Sequence, residues 1–381
     1  MCMRVIACNS AYGEGGVGQH LAQLVEESRT AGRLRAYYAP DRKRGDARGR
    51  TVSSPQWQDW LLQYTPVRFS PGWRSYIESE LFDRRIARIL RRDDRAGPPR
   101  FMGFVGCSLQ SFRQARRCGT SQIELVAANS HVRNLRAQHD RARELHGIGD
   151  SWLNAPLFRK TLREYEAADR IYVHSEYTRK SFLAAGFSAK KLERTYLHVH
   201  PRFRPPERRT QDDTFRVVYV GRVEATKGIP VLLQAFSKLS VPKKELILVG
   251  GWSTRRMRRY MEPWLDAEPI RLAPGDPRPV LHRADVFVHP SYEDGFGYAP
   301  MEALACGVPV IATKDTGMKE YIQNGMNGFV VPTGRSEPIV DRLEHLRHHP
   351  LVSGCSLLPP HYEEERCRET AEALTSLEFA S

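Results

Sequence analysis

Hydrophobic and polar positions alternate along the chain in a pattern that predicts repeated strand and helix units. Short runs rich in β-branched and aromatic residues recur between longer segments whose apolar residues fall at helical spacing. The run RVIACNS (4–10) precedes a segment in which Leu21, Leu24 and Val25 lie on one helical face. In the second half the strand-like runs are FRVVYVG, ELILVGG, PIRLAP, ADVFVHPS, VPVIAT and GFVVP. Strands that alternate with helices predict an α/β protein with mainly parallel, doubly wound, Rossmann-like sheets.

Residues 201–214, PRFRPPERRTQDDT, interrupt this pattern. The segment combines three prolines with charged residues, and Phe203 is its only large apolar residue. Such a composition is typical of a linker. We therefore predict an N-terminal domain over 1–205 and a C-terminal domain over 206–359. A helix over 360–381 is expected to pack back on the first domain, and the cleft between two such domains would suit a small-molecule site.

The front half contains a dense aromatic stretch followed by a basic helix. Aromatic residues cluster between Trp57 and Tyr76, and such a cluster more often packs a core, although it could also line an acceptor groove. The helical segment Ile77–Arg92 is basic and amphipathic. It could lie on anionic lipid, as such helices do, or its charges could simply be solvated.

Composition indicates a soluble enzyme of ordinary kind. Of the 381 residues, 41% are hydrophobic and 27% are charged. No run approaches the roughly 18 consecutive apolar residues of a membrane span. The start MCMRVIACNS predicts a first strand rather than a signal peptide. The seven cysteines form no CxxC pair, so we expect reduced thiols in a cytoplasmic protein, with peripheral attachment to the inner membrane face as an alternative.

The positive charge is concentrated in the front half. The net charge is +14, yet residues 1–208 hold 37 basic against 21 acidic side chains and the remaining residues hold 21 against 23. A nucleic acid, an anionic membrane or an acidic substrate could each explain this excess, as could arginine-rich helices with solvated surfaces.

The segment VYVGRVEATKGIPVLLQAF (218–236) predicts an anion site. A strand ends at Gly221, Arg222 follows at once, and Lys227 precedes a helix. A helix N-terminus offers free N–H groups and partial positive charge, and the two side chains add full charges. A diphosphate is the expected ligand, the alternative being two solvated side chains at a helix start.

The segment EDGFGYAPMEALACG (293–307) predicts a polyol site where a strand passes through a loop into a helix. Asp294 and Glu302 lie eight residues apart, beside Glu293 and a loop of Gly295, Phe296 and Gly297. Glycine permits close backbone approach to a ligand. Glu302 is expected in the first helical turn, where it could accept hydrogen bonds from a ribose, with Asp294 placed for a second polyol. The alternative is a capped helix with solvated acids.

These segments resemble those of retaining glycosyltransferases of family 4, which have the GT-B fold. PSYEDGFGYAPMEALACGVPVIAT resembles the family's E-x7-E signature, VGRVEATKG its phosphate-binding segment, and GMKEYIQNGMNGFVVP its C-terminal stretch; together they span Val220–Pro332. The resemblance implies transfer of a sugar from a nucleotide-diphosphate donor to a glycan, lipid-linked or small-molecule hydroxyl, with retention of configuration. It also implies that the domain over 206–359 binds the donor and that the domain over 1–205 is the acceptor side. No cofactor is expected, and the lack of an Asp-x-Asp triplet suited to a metal-bridged diphosphate favours activation without a metal.

The resemblance also implies roles for individual residues. Arg222 and Lys227 would bind the donor diphosphate, Glu302 the ribose, and Asp294, with Glu293, the donor sugar. The other implied positions are the loop Gly295, Phe296 and Gly297, the glycines Gly15 and Gly16 closing over the diphosphate, and His131 near the reacting sugar. His131, Asp294, Arg222 and Lys227 form the implied catalytic set. The family's first acid is usually Glu, whereas this chain has the shorter Asp294.

Two other functions fit parts of the pattern. A nucleotide-sugar epimerase could share the two-domain shape, but the spacing of the acids and GRVEATKG disfavour it. A nucleic-acid binder would explain the basic front half. The acidic second half and the lack of a familiar nucleic-acid module disfavour that reading.

Overall fold

The chain divides into two compact units. The computed structural model describes residues 3–92, 98–148, 151–209, 212–351, 354–360 and 362. The first unit holds the described residues of 1–133 and 150–197, and the second holds those of 134–149 and 198–364. Residues 134–149 therefore pack with the second unit, although they lie within the first domain that the sequence predicts.

The first unit contains a parallel sheet. Its strands within the described residues are β1 (Arg4–Ala7), β2 (Leu34–Ala39), β3 (Gly49–Thr51), β4 (Arg100–Phe104), β5 (Gln122–Ala127), β6 (Arg170–Val173) and β7 (Leu192–Arg194). Their order is β3-β2-β1-β4-β5-β6-β7, and every neighbouring pair is parallel. The helices of this half are α1 (Gly15–Thr30), α2 (Gln56–Tyr64), α3 (Pro71–Arg92), α4 (Leu109–Arg117), α5 (Val132–His146), α6 (Ala155–Ala167) and α7 (Glu176–Ala184).

The second unit repeats this architecture. Its described strands are β8 (Phe215–Val220), β9 (Lys244–Val249), β10 (Ile270–Leu272), β11 (Val286–His289), β12 (Val310–Thr313) and β13 (Gly328–Val331). Its remaining described helices are α8 (Ile229–Lys238), α9 (Arg255–Ala267), α10 (Arg278–Leu281), α11 (Tyr298–Ala305) and α12 (Glu337–His348). The strand order is β10-β9-β8-β11-β12-β13, again with parallel pairs.

The central strands of the second unit are buried along almost their whole length. All four residues of β11 and the first five of β8 are buried. Such continuous burial is typical of parallel strands covered by helices on both faces. The predicted α/β class, with doubly wound sheets, is confirmed in both units.

The strand order defines where a ligand would bind in the second unit. The chain moves outward in one direction from β8 to β10, and then resumes on the other side of β8 with β11. In open α/β sheets, ligands bind beyond the carboxyl ends of the strands at such a reversal. The loops that follow β8 and β11 contain the two segments for which the sequence predicts an anion site and a polyol site.

The aromatic stretch of the front half is largely exposed rather than packed in a core. Trp57, Trp60 and Trp73 are 55%, 59% and 49% exposed. The expectation of a core is therefore wrong for these three side chains. The basic helix α3 begins at Pro71, six residues before the predicted start.

Three further expectations concern the chain as a whole. The predicted helix over 360–381 lies outside the described residues, apart from 360 and 362. Among the helices that the structure describes, none is long and apolar enough to cross a bilayer. The described cysteines all carry free thiols: Cys8, Cys107, Cys118, Cys306 and Cys355.

Candidate active site

The loop between β8 and α8 is held in a compact turn. The hydroxyl of Tyr219 donates a hydrogen bond to the carbonyl oxygen of Arg222 at 2.9 Å. A 3-10 turn over Ala225–Lys227 then leads into Gly228, whose φ of 73° lies in the left-handed region that favours glycine. A Cβ atom at Gly228 would lie 2.0 Å from the carbonyl oxygen of Pro290, so the turn also depends on this close approach.

Lys227 and Asp294 join the two predicted motifs. Nζ of Lys227 lies 2.9 Å from Oδ2 of Asp294, and their side chains are only 21% and 18% exposed. Burial opposes ionisation of both groups, but each stabilises the charge of the other. The pKa of Asp294 is consequently well below its usual range, and the pKa of Lys227 is raised. Both side chains are therefore charged at neutral pH.

His289 contacts the same carboxylate. It is the last residue of β11, is 3% exposed, and places Nε2 3.3 Å from Oδ2 of Asp294. The imidazole adds to the lowering of the Asp294 pKa, after the larger effect of Lys227. Asp294 thus lies between a lysine and a buried imidazole. These two neighbours orient its carboxylate at the edge of the sheet.

The backbone around Asp294 is fixed by neighbouring loops. Its carbonyl oxygen accepts a hydrogen bond from the N–H of Gly317 at 2.9 Å. The N–H of Tyr292 donates to the carbonyl oxygen of Thr226 at 2.9 Å, which ties the loop after β11 to the loop after β8. Phe296 is 2% exposed, and its ring centroid lies 5.6 Å from that of Tyr321. The predicted glycine-flanked loop is therefore anchored by its aromatic side chain.

Gly297 and Glu302 define the helix that follows. Gly297, with φ of 94°, precedes α11, which begins at Tyr298. Glu302 is therefore the fifth residue of the helix, and the expectation that it lies in the first turn is wrong. Glu302 is 5% exposed. Burial of the Cys306 thiol and the negative charge of Glu302 raise the pKa of that thiol to about 12. Glu293 and Gly295 lie in the preceding loop, where Glu293 is 3% exposed.

Arg222 is the more accessible of the two predicted cations. Its side chain is 58% exposed, and Nη2 lies 3.7 Å from Oε1 of Glu224. The same Oε1 accepts a hydrogen bond from the hydroxyl of Thr226 at 2.8 Å. Arg222 thus extends from the fixed turn toward solvent, where it can meet an anion without displacing a buried partner.

Helix α5 contributes side chains to this part of the second unit, among them a histidine near Lys227 and Arg222. Nε2 of His146 lies 2.7 Å from the hydroxyl oxygen of Tyr292, and Arg141 donates to the carbonyl oxygen of Thr333 at 3.1 Å. His139, on the same helix, is 5% exposed. Burial, together with the positive charges of Lys227 and Arg222, lowers the pKa of His139 to about 3.

The candidate residues of the first unit have different environments. Gly15 and Gly16 are exposed and are the first two residues of α1, so their N–H groups lie at a helix N-terminus. His131 is 1% exposed, and its ring contacts those of Tyr165, Phe182 and Phe187. Burial lowers its pKa to about 4, and Arg133 adds to that shift. The catalytic role of His131 stays a prediction.

The sequence analysis missed His289 and His139. A polar residue that ends a buried strand could have indicated His289, because the reversal point of the sheet lies just beyond it. No local signal marks His139, because residues 134–149 belong to the second unit although they lie between two segments of the first along the chain. Within the described residues, no group of three or more His, Cys, Asp or Glu side chains could hold a metal ion.

Comparisons with known proteins identify the family to which this chain belongs. The sequence profile described as Glycosyl transferases group 1 matches residues 202–353. A GDP-mannose-dependent alpha-(1-6)-phosphatidylinositol monomannoside mannosyltransferase of Mycolicibacterium smegmatis is 32% identical over 299 residues, 69% of this chain and 76% of that protein. The chain belongs to the group 1 glycosyltransferase family.

Other members align over shorter lengths. The capsular polysaccharide biosynthesis glycosyltransferase CapM of Staphylococcus aureus is 33% identical over 142 residues, 35% of this chain and 37% of CapM. Across the first three curated relatives, this group 1 family member spans between 31% and 41% of the relative's length.

The fold comparison covers nearly the whole chain. A sucrose-phosphate synthase from Thermosynechococcus elongatus superposes with a TM-score of 0.71, covering 99% of this chain and 100% of that one at 18% identity. At that identity the likeness concerns the fold alone. It confirms the GT-B prediction for this group 1 family member, with two Rossmann-like units.

Proposed function

We propose that this chain transfers a sugar from a nucleotide-diphosphate donor to a hydroxyl of a glycan, lipid-linked or small-molecule acceptor, retaining the anomeric configuration. The observation that carries the proposal is the 2.9 Å contact between Nζ of Lys227 and Oδ2 of Asp294. It joins the cationic and acidic motifs at the reversal point of a doubly wound sheet, where ligands of such folds bind.

The cations would serve the leaving group. Negative charge builds on the diphosphate as the bond to the sugar breaks. Lys227, Arg222 and the N–H groups before α8 are fixed charges and dipoles that can stabilise it without reorganising. In other enzymes one such donor contributes about 3–4 kcal/mol to transition-state stabilisation. Because the pKa of Lys227 is raised, its ammonium group is charged throughout the neutral range.

The acids would hold the sugars. Asp294 accepts hydrogen bonds from hydroxyls of the transferred sugar, and its contact with Lys227 keeps the carboxylate beside the diphosphate cation. Glu302 binds the ribose, and Glu293 and the loop of Gly295, Phe296 and Gly297 surround the sugar and phosphate. Gly15, Gly16 and His131 keep the roles that the family resemblance gives them.

The chemical step balances without a protein base. The bond between the anomeric carbon and the diphosphate oxygen breaks, and the acceptor oxygen bonds to the same carbon on the same face. The acceptor proton passes to the departing diphosphate oxygen. The protein therefore needs to position the two reactants and to neutralise the leaving group, which matches a site of cations and acids.

The relatives support the donor class. The Mycolicibacterium smegmatis relative is GDP-mannose-dependent by name and aligns over 69% of this chain. We infer a hexose linked to a nucleoside diphosphate for this chain as well. We further propose that the reaction needs no metal, because Lys227, Arg222 and the helix N-terminus supply the positive charge. We also propose that it takes place in the cytoplasm, where the scattered cysteines would stay reduced.

A binding panel tests the proposal. Calorimetry with UDP, GDP, ADP and TDP and their hexose derivatives should show at least one donor that binds in the presence of EDTA. A ligand at about 100 times its dissociation constant would add about 2.7 kcal/mol to the free energy of unfolding, which a thermal-shift assay can confirm. No binding by any of these compounds would overturn the proposal.

Product analysis separates the alternatives. Incubation of the bound donor with candidate acceptors, followed by NMR of the anomeric proton, should show a product of unchanged configuration. Inversion would contradict the retaining mechanism alone. Formation of an epimer from the donor without any acceptor would favour the epimerase alternative instead.

A further inference from the structure

Large exposed aromatic side chains are concentrated in one short segment of the first unit. Among the described residues, eight large hydrophobic side chains are exposed, and five of them lie within 57–73. We call these five side chains the aromatic face: Trp57 (55% exposed), Trp60 (59%), Tyr64 (68%), Phe69 (53%) and Trp73 (49%). Scattered exposed apolar residues need no explanation, but five large exposed rings concentrated within 57–73 indicate an interaction site.

Helix α2 exposes aromatic rings on the side opposite its buried residues. Trp57, Trp60 and Tyr64 recur at intervals of three and four residues, which places them on one helical side. Gln58 and Leu62 lie on the other side and are buried. A helix that needed only to cover the core would present polar residues outward.

The segment is anchored, so the exposure of its rings is a property of a fixed surface. The side chain of Gln58 accepts a hydrogen bond from Arg85 of α3, and Arg85 also donates to the carbonyl oxygen of Ser53 at 3.3 Å. Gly72 packs so closely that a Cβ atom there would lie 3.0 Å from Cβ of Asn154. Trp73 therefore extends from a firmly packed helix start.

Basic side chains accompany the rings. The guanidinium carbon of Arg68 lies 4.4 Å from the ring centroid of Phe69, and Arg68 is exposed. Arg74, beside Trp73, is also exposed and pairs with Glu78 at 3.0 Å. Asp59 is the acidic residue within α2, near its N-terminus, where the helix dipole favours a negative charge.

We propose that the aromatic face docks the protein onto the interfacial layer of an anionic bilayer. Trp and Tyr have an apolar ring and a polar group, and they concentrate at the level of lipid headgroups. Arginines beside them are attracted to an anionic membrane surface. Residues 1–208 carry 37 basic against 21 acidic side chains, so the whole half complements negative lipid. This charge favours a membrane over a neutral polysaccharide, which could also stack on aromatic rings.

This site differs from the basic helix that the sequence suggests for lipid. Helix α3 buries Phe82, Ile86 and Leu90 against the unit, so the apolar stripe predicted for lipid contact is occupied. The aromatic face is instead formed by α2, the turn Pro66–Phe69 and the first residues of α3.

Vesicle co-sedimentation of the full chain tests the proposal. The wild type should bind vesicles of phosphatidylcholine mixed with phosphatidylglycerol, and more weakly those of phosphatidylcholine alone. The triple variant Trp57→Ser, Trp60→Ser, Tyr64→Ser should bind the mixed vesicles about tenfold more weakly or worse, a loss of about 1.4 kcal/mol. Arg68→Glu with Arg74→Glu should lose binding at low salt and show little further effect of salt.

Matched controls distinguish docking from misfolding. Met326→Ser with Leu145→Ser removes two other exposed hydrophobic side chains and should leave vesicle binding unchanged. Nucleotide binding by the triple variant should equal that of the wild type, because the face lies outside the proposed donor site. Equal binding of wild type and triple variant to mixed vesicles, or no binding by either, would overturn the proposal.

Two other partners would give different results. Retention of the wild type on immobilised polysaccharide, lost in the triple variant while lipid binding stays absent, would make the face a glycan surface. A wild-type dimer that becomes a monomer in the triple variant by sedimentation velocity, without lipid binding, would make it an interface between copies. Either result would overturn the membrane proposal and leave the proposed transferase activity untouched.

Discussion

Lys227 and Asp294 each influence the charge of the other. A lysine that is mostly buried would lose its proton more easily than one in water, but the carboxylate 2.9 Å away reverses that tendency. The contact therefore keeps the ammonium group of Lys227 charged beside the loop that follows β8. Replacing either member changes both the charge and the position of the other.

Removing Lys227 tests its role toward the diphosphate. We expect Lys227→Ala to lower kcat by about 10²–10³-fold, the range found when one transition-state donor is lost. Steady-state kinetics with the donor identified in the binding panel would measure this. Lys238→Ala is a matched control, because Lys238 ends α8, is 53% exposed and contacts Glu337 and Ser336, which are outside the proposed site. Near-full turnover by the Lys227 variant would contradict the assignment.

Replacing Asp294 separates sugar recognition from diphosphate binding. Asp294→Asn keeps the size of the side chain but frees the charge of Lys227. The affinity for the nucleoside diphosphate should therefore hold or increase, while transfer of the sugar falls. Calorimetry with the diphosphate and kinetics with the sugar donor measure the two effects. Equal losses of both would indicate that Asp294 supports the site as a whole rather than the sugar.

At the scale of elements, the site depends on two loops that approach each other at Gly228. The carbonyl oxygen of Pro290, after β11, lies where a side chain at position 228 would begin. Tyr292 and Thr226 add a 2.9 Å hydrogen bond between the same loops. This contact fixes the distance between the cationic and the acidic segments.

Gly228→Ala is therefore expected to destabilise the second unit. The strain of an alanine at the left-handed φ of 73° and the clash of its Cβ, 2.0 Å from the carbonyl oxygen of Pro290, must both be relieved, at a cost of about 1–3 kcal/mol. Gly251→Ala is the control, because a Cβ atom there has nothing within 4 Å. Urea unfolding would measure both variants. A stability equal to wild type for Gly228→Ala would show that the loops can separate freely.

The sequence predicts elements better than it predicts their contacts. Buried strands such as β8 and β11 are short runs of mostly apolar residues, and the loops after them contain the charged and glycine residues that a site needs. The start of α11 two residues before Pro300 moves Glu302 out of the first turn, because local signals do not fix where a helix begins. His139 was missed because its neighbours Lys227 and Arg222 are distant in the sequence. For the aromatic face the sequence leaves a core and an acceptor groove open, because a hydrophobic pattern does not say which face is covered.

At the scale of the molecule, buried neutral histidines link stability to pH. Burial lowers the pKa of five histidines: His20, His131, His139, His146 and His174. The pKa values of His131 and His174 are about 4, and that of His139 is about 3. In the unfolded chain the same side chains take up protons near pH 6.5. Below about pH 6.5 the unfolded state therefore binds more protons than the folded state, and the free energy of unfolding falls as the pH is lowered.

We expect the free energy of unfolding to fall from about pH 6.5 to pH 5, a window that lies above the ordinary titration of carboxylates. Each such histidine contributes a slope of at most about 1.4 kcal/mol per pH unit. Urea unfolding across this range measures the slope. His20→Phe should reduce it, because Phe keeps the ring contacts with Phe104 and His174 but cannot titrate. His348→Phe, at an exposed position, should leave the slope as it is. A stability that stays flat down to pH 5 would mean that the buried histidines take up protons in the folded chain, against the burial that lowers their pKa.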